Sequence, residues 1–261
     1  MLRSLYTAAT GMEAQQTQMD VIANNLANAS TTGFKRERAE FSDLLSDTIH
    51  ASGAPDPRGG SSPAALQVGL GVRTDSTTRT FTQGDLQTTG NSTDLAIQGD
   101  GLFRVQRANG EFAFTRAGNL RLDATGRLVT QAGDLIDPAI TVPQGASQLT
   151  IKPDGTVTAQ VPGRTDVSEL GTLEISTFPN YGALQALGNN LFEQTQASGN
   201  ATQTKPGENG AGSLNQGFLE TANVKAVEEM INMITTQRAY EMNSKVIQSA
   251  DQMLQKLTSL R

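Results

Sequence analysis

The chain has 261 residues, of which 36% are hydrophobic and only 5% aromatic, with 26 Gly, no Trp and no Cys. Against 26 acidic residues stand 20 basic ones, a net charge of −6, so no basic surface neutralises phosphates and no nucleic-acid partner is expected. The lack of Cys excludes disulfides, thiolate metal sites and thiol nucleophiles, and no window approaches the roughly 20 apolar residues of a membrane span, so no direct membrane insertion is expected.

At the N-terminus, Leu2, Leu5, Ala9, Met12, Met19, Ala23 and Leu26 recur on alternating steps of three and four, a heptad seam that predicts a helix ending near Gly33. A second row, Leu5, Ala8, Met12, Met19, Ile22, Leu26 and Ala29, widens the seam into a stripe. Residues 1 to 31 hold only Arg3, Glu13 and Asp20 as charges, whereas Gln and Asn abound. Such a helix packs on its own domain or, because interface cores are depleted of charge, on other chains. No continuous apolar core marks a conventional secretory signal, so any export is expected to proceed without a cleaved signal peptide.

The middle is chemically different. All nine Pro, and every Gly except Gly11 and Gly33, lie between Gly53 and Gly217, whereas all seven Met lie outside that interval. Residues 50 to 70 and 195 to 217, rich in Gly, Ser, Thr, Asn and Pro, read as extended connectors, either disordered alone or ordered only against a neighbouring molecule. Between them the period is two. Phe103 and Val105 alternate with Arg104 and Gln106, Phe112 and Phe114 with Ala113 and Thr115, and the intervening Asn109-Gly110 predicts a type I′ hairpin. Leu120 and Leu122 with Leu128 and Val129 flank a second turn from Asp123 to Gly126. Leu149, Ile151 and Val157 flank a third at Lys152-Pro153-Asp154-Gly155, and Leu173, Ile175 and Thr177 make a further strand. Short strands at this spacing indicate an antiparallel sandwich or barrel.

Asn223 reads as the N-cap of a second long helix, in which Val224, Val227, Ile231 and Ile234 open a seam that resumes through Met242, Val246, Met253, Leu257 and Leu260. That helix would run nearly 40 residues, about 55 to 60 Å. Two single-stripe helices at opposite termini bury their stripes most economically against one another or against copies of themselves. The expected fold class is therefore α+β: discontinuous N- and C-terminal coiled-coil helices plus a central antiparallel all-β domain with extended connectors.

No chemistry assembles. His50 is alone, Asp43 with Asp47 and Glu228 with Glu229 lie in amphipathic sequence where acids face water, and Gly69-Leu70-Gly71 and Gly99-Asp100-Gly101 lack phosphate-loop spacing. Three Tyr and no Trp supply no aromatic platform for glycans. The expectation is a structural or interaction protein, not an enzyme, with no catalytic residues, metal or cofactor.

Two strings are more specific. IANNLANASTTGFKR at residues 22 to 36 resembles the signature of the rod and hook axial proteins of the bacterial flagellum through Asn24, Asn25, Leu26, Ala27, Asn28, Thr31, Gly33, Phe34 and Lys35. The string from Gln216, QGFLETANVKAVEEMINMITTQRAYEMNSKVIQSADQMLQKL, is similar to its C-terminal partner motif through Gly217, Glu220, Asn223, Val224, Met230, Gln237, Arg238, Ala239, Tyr240, Lys245, Asp251, Met253 and Leu254. RTFTQGDLQTTGNSTDLAIQGDGLFRV, FTRAGNLRLDATGRLVT, LGNNLFEQTQASG and KPGENGAGSLNQG resemble the distal rod branch, although Ala222 stands where Ser is usual and Leu102 where Phe is common.

The resemblance implies a helical homopolymer whose two motifs serve self-assembly. It would form a drive shaft across the periplasm that transmits torque from motor to hook and encloses the export channel. Proximal rod proteins, hook or hook-junction proteins, the surrounding P- and L-ring proteins, the rod cap and the flagellar type III export apparatus are the implied partners. It also implies residues 1–34 and 219–261 as an inner helical tube, 35–94 and 195–218 as connectors with a rod-type, stiffening insertion near 42–63, and 95–194 as an outer β domain. The alternatives are a proximal rod or hook-type subunit of the same family, or a secreted β-domain adhesin.

Overall fold

The computed structural model describes residues 2–50, 65–143, 145, 146, 148–160 and 167–259, so most of the first predicted connector and of the insertion, residues 51–64, lies outside the described residues. Two helices, α1 (Leu2–Ala27) and α2 (Ala226–Ser259), flank a central region of antiparallel strands, the α+β class expected. The chain divides into two compact units, one of Met1–Leu26, Glu37–Thr78 and Ala226–Arg261, the other of Ala27–Arg36 and Arg79–Lys225.

The second unit holds the apolar core. Its largest sheet has nine strands among the described residues, in the order Gln185–Gly188, Leu191–Glu193, Phe112–Thr115, Leu102–Gln106, Leu135–Asp137, Leu128–Val129 and Arg121–Leu122. Leu102–Gln106 is the hub. One edge pairs with Phe112–Thr115, and the other is shared in series by Leu135–Asp137 and Ile175–Thr177, which pairs in turn with Thr202–Thr204. Alternation then does what period two demands: Phe103 and Val105 enter a cluster with Leu95, Ile97, Leu128, Ile136, Val157, Leu173, Ile175 and Leu214. On the other face Leu102 and Phe114 join Phe178, Leu184 and Phe192. The Phe114 and Phe178 rings meet edge to face, 4.8 Å between centroids.

The three expected hairpins form at the expected strands, but the first turns differently. Gly110 has φ +85° while Asn109 stays at negative φ, and the Gly110 amide donates to the Arg107 carbonyl. This is a type I turn closed by a left-handed Gly, not type I′, which needs φ > 0 at both central residues. At the third hairpin Asp154 accepts from the Thr156 amide (2.9 Å) before Gly155 at φ +85°. The expected strand through Leu173 is split: Val167–Thr172 and Ile175–Thr177 belong to different sheets, with Leu173 buried between them.

The second predicted connector is ordered by its own chain. Ser213–Gln216 pairs with Leu95–Gln98, and Phe218–Glu220 with Leu86–Thr88, both antiparallel, while Ser198, Ala211 and Leu214 are buried. Its Gly and Asn serve turns within the β unit, which composition alone does not distinguish from a linker. Around the first connector, Ser46–His50 and Leu66–Gly69 form an antiparallel pair, so its ends are strand legs.

In the first unit the buried side chains of the helices are mostly small or polar. On α1 Ala8, Ala14, Val21, Ile22 and Asn25 are buried, Ala9 and Ala23 are exposed, and Leu5, Met12, Met19 and Leu26 are half-buried, so the predicted seam runs along the margin of the buried face. At Gly11 a Cβ would lie 2.9 Å from Nδ2 of Asn243 on α2, the end of a side chain that can swing aside. The helix also stops earlier than expected, after Ala27, because Asn28 to Phe34 form turns, with Thr31 and Phe34 amides donating to the carbonyls of Asn28 and Thr31. On α2 the buried residues are Glu229, Thr236 and Ala250, while Val227, Ile231, Ile234, Met242, Val246 and Met253 are exposed. Between Val227 and Met253 the seam read from sequence is therefore exposed.

Candidate functional site

Most motif residues fall into two groups, one interior and one on the surface of α2. The interior group begins with Asn25, whose amide mimics a strand neighbour: Nδ2 donates to the Glu37 carbonyl (2.8 Å) and Oδ1 accepts from the Glu37 amide (2.9 Å). Thr31 donates through Oγ1 to Asn28 Oδ1 (3.2 Å), closing the turn after α1. Gly33 then adopts φ +70°, where a Cβ would sit 2.7 Å from the Ala117 amide nitrogen. Its own amide donates to the Glu220 carbonyl (2.8 Å). Phe34 is buried, whereas Asn24 and Ala27 are exposed and Leu26 is half-buried.

Behind Gly33 lies a buried charge triad. Lys35 and Glu220 are each 1% exposed and Arg116 5%. Lys35 Nζ donates to Glu220 Oε1 (2.7 Å) and to the Thr82 carbonyl (2.7 Å), and Arg116 donates through Nε to Glu220 Oε2. The remaining Arg116 donors meet the carbonyls of Ile97 (2.8 Å), Gly99 (2.6 Å) and Gly101. Glu220 Oε1 also accepts from the Gly84 amide (2.8 Å). Burial disfavours both charges of the ion pair; it holds Lys35 below its ordinary 10.5 against the pull of Glu220. For Glu220, burial is outweighed by the charges of Arg116 and Lys35, and its carboxyl lies below the ordinary 4.5.

Asn223 completes the arrangement. It does not cap α2, which begins at Ala226; its Oδ1 accepts from the Arg36 amide (2.7 Å), and its Nδ2 donates to the Thr80 carbonyl (2.7 Å) and the Thr82 carbonyl (3.1 Å) and hydroxyl (2.9 Å). Residues 79–84 form no helix and only the last residue of a strand, and three of their backbone groups, the Thr80 and Thr82 carbonyls and the Gly84 amide, are met by the side chains of Lys35, Glu220 and Asn223. Gly217, at φ +77°, donates to the Asp94 carbonyl and accepts from the Thr89 amide, both at 2.9 Å. Arg116 was not singled out from sequence, although it lies in the FTRAGN string; only its companions at 35 and 220 show why it is buried.

The second group lies on α2. Met230, Gln237, Arg238, Tyr240, Lys245, Asp251 and Met253 are exposed, and Ala239 and Leu254 are half-buried, as is Val224 just before the helix. Asn28 and Thr31 also rim a polar cleft of about 780 Å³ with Thr32, Asn189 and Asn190. Among the described residues no three His, Asp or Glu gather as a metal set, and no helix is long and apolar enough to cross a membrane.

Comparison with known proteins decides the family. A family model described as flagella basal body rod protein matches residues 5–35, one described as flagellar hook protein FlgE/F/G D1 domain matches 96–159, and one described as flagellar basal body rod FlgEFG protein C-terminal matches 215–260. Flagellar basal-body rod protein FlgG of Buchnera aphidicola subsp. Acyrthosiphon pisum is 48% identical over 260 residues, with 100% of both chains covered. FlgG of Caulobacter vibrioides is 47% identical over 261 residues and that of Bacillus subtilis 40% over 267, again with both chains covered in full. The chain belongs to the FlgG family of flagellar basal-body rod proteins.

On this membership it is a structural rod protein and not an enzyme. The hook protein FlgE of Helicobacter mustelae is 45% identical over 137 residues, 52% of this chain and 30% of its own, so the likeness to hook proteins is partial. The three matched family segments converge in the triad: 5–35 supplies Lys35, 96–159 supplies Arg116 and 215–260 supplies Glu220.

Proposed function

We propose that the chain polymerises helically with copies of itself into the distal part of the rod, through the outward face of α2 and the N-terminal helix. The observation that carries this reading is the apolar row on α2, where Val227 is 70% and Met242 61% exposed although both follow helical periodicity. Burying a Val, Ile or Met side chain gains about 1.5–3 kcal/mol, so a row of six left in water is a large unmet driving force for association. The low charge content of α1, with Arg3, Glu13 and Asp20 its only charged residues, supports the same reading, because interface cores are depleted of charge.

In this reading the rod crosses the periplasm, transmits torque to the hook over many interfaces, and encloses the export channel. Neighbouring partners are proximal rod proteins, hook or hook-junction proteins, the P- and L-rings, the rod cap and the flagellar type III export apparatus, through which the chain leaves without a cleaved signal. Residues 1–34 and 219–261 line the inner tube, 95–194 form its outer layer, and the segment near 42–63 stiffens the polymer.

Replacing Ile231 and Ile234 together by Glu tests the interface. The variant is expected to keep the far-UV circular dichroism and melting temperature of the unassembled chain and to fail to form rods by electron microscopy. Rods of normal length from that variant would reject the α2 interface.

A further inference from the structure

We infer that the Lys35–Glu220–Arg116 triad is a chain-completion latch: residues 31–36 and 79–84 become ordered only when the segment 213–223 has docked, so the two terminal motifs are set together or not at all. The inference concerns the folding of the unassembled chain and does not depend on how copies associate.

The argument starts from what segment 213–223 supplies. Without Glu220, two cations, Lys35 and Arg116, face a buried site with no carboxylate between them. Arg116 retains three carbonyls from residues 97 to 101, but Lys35 retains only the Thr82 carbonyl. The Gly84 amide loses its acceptor, and the Gly33 amide loses the Glu220 carbonyl. Without Asn223, the Arg36 amide and the Thr80 carbonyl lose their side-chain partner. Residues 31–36 and 79–84 touch each other through the Thr80 amide and the Arg36 carbonyl (2.9 Å), a single backbone bond. The Lys35 Nζ bond to the Thr82 carbonyl and the pairing of the adjoining strands Glu37–Asp43 and Val72–Arg79 also bring them together, but the carboxylate that holds Lys35 and the amide of Asn223 that bridges Arg36 to Thr80 come from the far end of the chain, 185 residues on in the case of Lys35 and Glu220.

The hydrophobic strands of the β unit depend less on this segment. Leu102–Gln106 and Phe112–Thr115 pair with each other and with Leu135–Asp137 and Ile175–Thr177, none of which belongs to 213–223. Leu214, from the first strand of the segment, does enter the cluster of Phe103 and Val105, but Glu220 and Asn223 do not, so the core can stay protected while the latch is open, and the device works as a local cooperative unit.

Amide hydrogen exchange on the unassembled full-length chain, read by mass spectrometry, tests this with Glu220→Gln and Asn223→Ala. The latch predicts that in both variants residues 31–36 and 79–84 exchange at least about tenfold faster and by the same factor, while 102–106 and 112–115 keep their protection. Asn223→Ala creates no unpaired charge, so it decides the matter should Glu220→Gln fail to fold. Loosening of 79–84 alone, unchanged protection of both segments, or equal loss across the core strands in Asn223→Ala would overturn the latch. Because exchange is read before assembly, a failure of the α2 interface would leave this result untouched.

Discussion

Gly33 shows how one position joins local geometry to the packing around it. Its φ of +70° is costly for any other residue, and its missing Cβ is the space in which the Arg116-Ala117 backbone lies. Gly33→Ala is therefore expected to cost about 1–3 kcal/mol in urea unfolding, where an exposed Gly such as Gly110, whose Cβ would meet nothing within 4 Å, costs less for the same change. Equal costs at the two positions would show that the close approach contributes nothing. Charge at the neighbouring triad sets a pH dependence. The Glu220 carboxyl is depressed in the folded chain, so its contribution is present above about pH 4.5 and is lost as pH falls through the lower folded value. Lys35 acts in the opposite range: its value is lowered below 10.5, so its buried charge opposes folding and stability rises as pH climbs from that lowered value towards 10.5. The urea midpoint should fall below pH 4.5 in the parent and fall less in Glu220→Gln, with Glu40, Asp123 and Asp154, also depressed, contributing to the remainder. An identical acid limb in the variant would contradict that assignment. The motif strings contain Gly33, Lys35 and Glu220, but no spacing rule joins residues 35, 116 and 220, because their meeting is set by sheet closure rather than by local sequence.

At the level of single elements, periodicity located both long helices but did not say which way they face. On α1 the true buried face is displaced from the Leu and Met seam toward Ala8, Ala14, Ile22 and Asn25. On α2 the seam was read correctly, and it faces away from the buried Glu229 and Thr236. Strand alternation fared better, because a residue on a sheet has only two sides to choose from. Composition does not reveal the strands within the Gly-rich stretch at 195–217, since a strand such as Ser213–Gln216 carries few apolar residues and is held by pairing with Leu95–Gln98. A contrast between the elements is testable by thermal or urea unfolding of the unassembled chain. Leu214→Ala, in the core, should cost about 2–5 kcal/mol, whereas Met242→Ala on the outward face of α2 should stay within about 0.5 kcal/mol. A large loss at Met242 would mean that its side chain is already buried in the single chain.

Across the whole molecule the composition divides as the two units do. The β unit buries Leu, Ile, Val and Phe in clusters of its own, while the exposed large apolar residues of the helices, Met230, Ile231, Ile234 and Met242 among them, have no such cluster. A protein that is finished as a single chain rarely leaves such a row in water, and a rod subunit has a use for it. Apolar association of this kind weakens on cooling, so rods of the purified chain at equilibrium should leave a higher concentration of free subunits near 4 °C than at 25 °C at equal ionic strength; the reverse order would point to charge pairing instead. The most direct test uses the absence of Cys from the chain. A single Cys placed at Ile231, which is 56% exposed, should react with a soluble maleimide rapidly in the unassembled protein and at least about a hundredfold more slowly in the assembled rod. Equal labelling rates in the two states would contradict the account, because the α2 face would then remain in water within the polymer it is said to build.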